Sequence, residues 1–95
     1  MLKPLEELVN IIRERKNANP EKSYTNKLLN DKKMCVAKVN EEINELIKAI
    51  EKNDNKVHEA ADVLYHLLVL LESNGIKIED VMKELKKRQN AVRQK

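Results

Sequence analysis

The chain has 95 residues, 41% hydrophobic and 37% charged, with one glycine, two prolines and neither Phe nor Trp. Such usage, rich in long straight side chains and poor in turn formers, describes one small helical domain spanning residues 1–95, its core filled by aliphatic residues. A net charge of +3 from 19 basic and 16 acidic residues is too mild and too mixed for a nucleic-acid binder, and a lone Cys35 excludes an intrachain disulfide and suits a reducing cytoplasm.

The first helix is expected from Pro4 to Lys16, with Leu5, Leu8, Val9 and Ile12 at helical spacing, before Asn17-Ala-Asn-Pro20 breaks it. A short helical segment follows from Ser23 to Asn30. The second main helix runs from Asp31 to Lys52, with Val39, Ile43, Leu46, Ile47 and Ile50 as its core stripe, and ends in the turn-forming Asn53-Asp54-Asn55. The third runs from Asn55 to Ser73, with Asp54 as its N-cap and Gly75 as its stop. It is apolar almost all the way round, which predicts the buried central helix of the fold. The fourth, Ile78 to Arg93, sets Val81, Met82, Leu85 and Val92 opposite basic residues; Lys83, Lys86, Lys87, Arg88, Arg93 and Lys95 make this end of the chain basic, by default as solvated surface. The result is an all-α antiparallel bundle of four main helices plus a short segment, completed by dimerisation. The amino-terminal stretch lacks a signal peptide's apolar run. Val63 to Leu71, the longest apolar stretch, is far too short to span a membrane.

Acids stand out on the two middle helices. Glu41, Glu42 and Glu45 share an arc of about 100° on the second, with Lys38 inside it, while Glu59 and Asp62 lie about 60° apart on the third. Antiparallel packing through a short turn lets both groups converge. Helical bundles build carboxylate metal sites in this way, and oxygen ligands without cysteine select Mg²⁺ or Mn²⁺. Such an ion keeps waters and takes substrate phosphate, which points to metal-assisted attack of water on a phosphoanhydride. A plainer reading stands beside this one: Glu59 and Asp62 complement the helix dipole, and Glu41 and Glu45 pair with lysines such as Lys38 and Lys48.

These residues also carry a resemblance. Glu41-Glu42-Ile-Asn-Glu45, a thirteen-residue spacer and Glu59-Ala-Ala-Asp62 follow the Glu-Glu-x-x-Glu and Glu-x-x-Asp signature of the MazG-like all-α nucleoside triphosphate pyrophosphohydrolases. Ser23-Tyr24-Thr25-Asn-Lys27-Leu28, the Lys38-Val39 lead-in and the whole of Glu59 to Leu71 resemble the phosphoribosyl-ATP pyrophosphatase family within that superfamily. The likeness covers about residues 5 to 90. Asn40 replaces a usual glycine and Lys77 a common serine or aspartate cap; neither change removes a carboxylate.

The resemblance implies hydrolysis of the α–β phosphoanhydride of 1-(5-phosphoribosyl)-ATP in histidine biosynthesis. It assigns Glu42, Glu45, Glu59 and Asp62 as Mg²⁺ ligands, with Mn²⁺ a possible substitute, and Glu41 to the outer shell or the attacking water. Lys27 and Lys38 are the candidate phosphate cations, with Arg15 and Lys16 as further contacts, and Tyr24 and Thr25 offer hydroxyls to the substrate. His66 reads as a hydrogen-bonded buried histidine able to support the site, and Cys35 as a small hydrophobe. The expected partners are a second copy of the chain and a separate phosphoribosyl-AMP cyclohydrolase receiving the product. Two rivals remain: a house-cleaning pyrophosphohydrolase of ordinary or damaged nucleotides, and a non-catalytic basic helical module for dimerisation or nucleic-acid binding.

Overall fold

Proline in the first turn of α1 (Lys3–Glu14), a serine cap on α2 (Tyr24–Asn30) and an aspartate cap on α3 (Lys32–Lys52) open three helices of a computed structural model that describes residues 1–94. Ser23 accepts from the Asn26 N–H at 3.1 Å and Asp31 from the Met34 N–H at 3.0 Å, each satisfying a donor the helix cannot use itself. A 3-10 turn, Arg15–Asn17, carries the chain out of α1, which therefore ends earlier than the apolar periodicity predicts. After α3 come α4 (Lys56–Ser73), α5 (Ile78–Lys87) and α6 (Gln89–Arg93). The described residues are thus all-helical, as composition leads one to expect.

The α3–α4 turn depends on asparagine. Asn53 adopts φ 54° and its N–H returns to the Ile50 carbonyl, while the Asp54 N–H returns to Ala49, a C-capping pattern usually completed by glycine. Asn55 is also left-handed, at φ 57°. It occupies the N-cap position of α4 expected of Asp54: the Glu59 N–H bonds to the Asn55 carbonyl, so the helix starts one residue later. At the far end, Gly75 at φ 70° closes α4 as predicted, with Gly75 N–H on Glu72 and Ile76 N–H on Leu71.

The single predicted last helix is two. At Arg88 the backbone turns to ψ −2°, separating α5 from α6. Met82, Leu85 and Val92 are 48%, 52% and 61% exposed, so the apolar stripe finds little against which to hold one straight rod. Lys95 lies outside the described residues.

The core joins Val9 and Ile12 of α1, Leu28 of α2, Cys35 of α3, and Leu68 and Val69 of α4. Cys35 is fully buried and acts as the small hydrophobe expected. α4 is central in its contacts, touching α1, α2, α3 and α5, with the most extensive interface on α3. It is not buried all round. Leu64 and Leu67 are exposed, and the predicted core stripe of α3 splits: Val39 turns inward while Ile43, Ile47 and Ile50 face out. The stripe is wider than the single face that α4 covers, so the α3–α4 pair keeps an outer apolar surface. No described helix is long and apolar enough to cross a membrane.

Candidate functional site

The tight asparagine turn lays α3 and α4 antiparallel, which brings the acids of one beside those of the other. Glu45 and Glu59 line the same hollow next to the turn, together with Lys48, Lys52, Asp54 and Asn55. One helical turn along, Asp62 and Glu59 offer oxygens that lie, with a nitrogen of His58, within 4.8 Å of one another. His58 was not singled out from the sequence, although its i,i+4 spacing to Asp62 is a legible signal; its Nε2 stands 3.4 Å from the Asp62 carboxylate.

The plainer reading of the α3 acids also has its contacts. Lys38 Nζ is 3.2 Å from Glu41 and Lys48 Nζ is 3.7 Å from Glu45. Glu41 thereby raises the Lys38 ammonium above its ordinary pKa. These are local pairs three residues apart on largely exposed side chains, where solvent screening leaves them weak. Glu42 and Glu59 form no ion pair among the described residues. Carboxylate oxygens suit a hard divalent cation, but among the described residues the group close enough to share one lies on α4 alone, His58, Glu59 and Asp62; from α3, Glu45 shares the hollow beside Glu59, and the His58 nitrogen is a donor that Mg²⁺ seldom takes.

The Ser23–Asn30 segment closes one flank. Tyr24 Oη lies 3.0 Å from His66 Nε2, and Thr25 Oγ1 is hydrogen-bonded to Tyr65 Oη, so two hydroxyls expected to be free for substrate instead join α2 to α4. Burial pushes the Tyr24 phenol above its ordinary pKa, the Lys38 ammonium pulls it down, and Glu42 and Glu41 add to the rise. Asn26, nearly fully buried and also missed from the sequence, donates from Nδ2 to the Arg15 carbonyl at 2.8 Å and to that of Lys16 at 3.2 Å. It fixes α2 against the turn behind α1.

The other predicted cations stand apart. Lys27 is exposed on α2. Arg15 is exposed and gives its carbonyl to Asn26. Lys16 Nζ lies 2.9 Å from Glu72, which is about 15 Å along α4 from Asp62. The same Glu72 receives Arg13 Nε at 3.3 Å, and the outer edge of that guanidinium grips Glu79 at 2.7 and 3.0 Å. This cluster ties α1 to α4 and α5. Nothing in local spacing announces it.

A sequence profile described as phosphoribosyl-ATP pyrophosphohydrolase matches residues 5–89. The chain is 47% identical over 94 residues to a phosphoribosyl-ATP pyrophosphatase of Clostridium acetobutylicum, covering 93% of this chain and 83% of the relative. It is 44% identical over 87 residues to the enzyme of the same name from Rhodobacter capsulatus, covering 88% and 84%. A histidine biosynthesis bifunctional protein HisIE of Thermotoga maritima matches at 46% over 85 residues, 86% of this chain but only 43% of the relative. With Glu45 and Glu59 lining one hollow beside the turn and the match spanning nearly the whole length, the chain belongs to the phosphoribosyl-ATP pyrophosphohydrolase family.

Proposed function

We propose that the chain hydrolyses 1-(5-phosphoribosyl)-ATP to phosphoribosyl-AMP and pyrophosphate in histidine biosynthesis, using Mg²⁺ or, as a substitute, Mn²⁺. Water adds to phosphorus at the α–β anhydride, the bridging P–O bond breaks, and pyrophosphate departs. The observation that carries the reading is the family match over residues 5–89, which contains every one of the facing acids. Glu42, Glu45, Glu59 and Asp62 would hold the cation, which when bound neutralises phosphate charge and lowers the pKa of water. Glu41, paired with Lys38, would serve the outer shell or orient the attacking water. Lys38 is the chain's own electrostatic support for the anionic leaving group, since its ammonium lies on the same flank as Glu42 and Tyr24. Lys27 is a second candidate from the exposed face of α2; Arg15 and Lys16 are weaker ones, Lys16 because it is engaged by Glu72.

The assay is pyrophosphate release from phosphoribosyl-ATP with Mg²⁺, beside ATP, dCTP and dUTP, repeated with EDTA. Fast release confined to phosphoribosyl-ATP and abolished by EDTA is expected. Turnover of the ordinary nucleotides instead would reassign the chain to house-cleaning, and release that survives EDTA would remove the metal.

A second copy is the proposed cover for Ile43, Ile47, Ile50, Leu64 and Leu67, which together make an apolar patch on one face of α3 and α4. Sedimentation velocity would find a dimer that Ile47→Glu dissociates; a monomeric wild type sinks this part. Bifunctional relatives named HisIE support the further reading that the product passes to a phosphoribosyl-AMP cyclohydrolase.

A further inference from the structure

His66 is 6% exposed, yet both ring nitrogens are engaged. Nδ1 lies 2.8 Å from the backbone carbonyl of Asp62, and Nε2 lies 3.0 Å from Tyr24 Oη. A carbonyl only accepts, so Nδ1 carries a hydrogen, and in the neutral imidazole Nε2 is then bare. The Tyr24 hydroxyl must then donate to it. A phenol has one hydrogen, so what remains on Tyr24 Oη is acceptor capacity alone. The three rings hold this arrangement: Tyr65 packs edge-on to His66 at 4.9 Å between centroids, and Tyr24 does so at 5.9 Å. Tyr24 itself stays 45% exposed, beside Lys38 and Glu42.

We propose that His66 is a positioning residue that acts through Tyr24: it takes the phenolic hydrogen, fixes the ring at the flank of the acid groove, and turns Oη into an acceptor for a hydroxyl or amino hydrogen of the nucleotide rather than a donor to its phosphates. The same histidine hangs from the backbone of Asp62, so the residue that presents a carboxylate to the groove also sets the register of the Tyr24 side chain. The proposal rests on the reaction proposed above for its kinetic arm and is independent of it for its spectroscopic arm.

The kinetic arm compares kcat/KM for phosphoribosyl-ATP in wild type, Tyr24→Phe, His66→Asn, the double variant and His66→Gln. Glutamine places an acceptor near the Nε2 position, whereas asparagine mimics Nδ1 and leaves Tyr24 without a partner. Tyr24→Phe and His66→Asn should each lower kcat/KM by about tenfold, on the scale of one hydrogen bond, with the double variant no worse than either and His66→Gln close to wild type. Urea midpoints measured in parallel separate this from a structural role, which would lower stability while leaving turnover of folded enzyme unchanged. Independent losses that multiply in the double variant, full activity of both single variants, or a glutamine as poor as asparagine would each overturn the proposal.

The spectroscopic arm needs no turnover and covers a His66→Asn chain that fails to fold. Long-range ¹H–¹⁵N correlation at alkaline pH should find His66 as the Nδ1–H tautomer, with an Nε2 resonance that moves in Tyr24→Phe. An Nε2–H tautomer, or a resonance indifferent to Tyr24, refutes the assignment. If wild type releases no pyrophosphate, the reaction is wrong and this arm still decides the contact.

Discussion

Compare the two ends of α4. At its carboxyl-terminal end, Glu72 is met by Arg13 and Lys16 from the opposite end of the sequence, and the same guanidinium continues to Glu79 on α5. At its amino-terminal end, Asp62 meets only His58 on the same helix, while across the groove Glu45 meets Lys48 and Glu41 meets Lys38, each three residues away. Carboxylates of the first kind tie helices together. Those of the second kind keep most of their coordination open, and their local partners are worth too little to have selected them. The acids at the two ends of α4 thus differ in where their partners come from: distant segments at one end, the same helical turn at the other.

Charge neutralisation is the sharpest way to break this comparison. Glu59→Gln and Asp62→Asn should each reduce phosphoribosyl-ATP turnover by about a thousandfold or more, because several kcal/mol of transition-state charge stabilisation go with the cation. Stability should change little, since neither acid has a long-range partner to lose. Glu72→Gln should do the reverse. Glu72 is only 12% exposed, and its charge-assisted bonds to Arg13 and Lys16 are worth about 1–2 kcal/mol, read as a drop in the urea midpoint. Its turnover should stay within about twofold of wild type. A full-rate Glu59→Gln, or a Glu72→Gln as inactive as Asp62→Asn, would erase the distinction.

Much of one end was legible in the sequence and little of the other. Acid spacing on two helices, with a short turn between them, is local information, and Glu45 and Glu59 do line one hollow. The capping roles of Ser23, Asp31 and Gly75 are local as well. Arg13 and Glu79 are far apart in sequence, and no periodicity encodes their meeting. The same holds for Tyr24 and His66, whose contact ties the motif's tyrosine to the helix that carries Asp62. Ile43, Ile47 and Ile50 illustrate another limit: a helical stripe reveals that a face avoids water, without saying whether its own chain or a second copy provides the cover. Asn53 and Asn55 were visible as turn formers, but two departures into left-handed backbone on either side of Asp54, and the shift of the α4 cap from Asp54, follow from how the helices meet.

The smallest effect belongs to the outermost carboxylate of the tying cluster. Lys77 occupies the N-cap position of α5 and supplies no side-chain cap, so Glu79 in the first turn is held by the Arg13 guanidinium and by its own backbone N–H. The Arg13 bond lowers the Glu79 carboxyl from 4.5 to about 2. Because the folded value is depressed, the unfolded chain binds the proton more readily between these two values, and stability must rise with pH across that window. The contribution is fully present above 4.5 and is lost as pH falls toward about 2. Glu79 is 58% exposed, so screening keeps the effect modest, and added salt should shrink it further. Many carboxylates titrate in the same range, which makes the difference between wild type and Glu79→Gln the quantity to follow. Urea midpoints taken from pH 5 down to 2 should converge for the two proteins as the acid limit is approached and separate above it; parallel curves over the whole range would leave Arg13 with Glu72 as its only effective anchor.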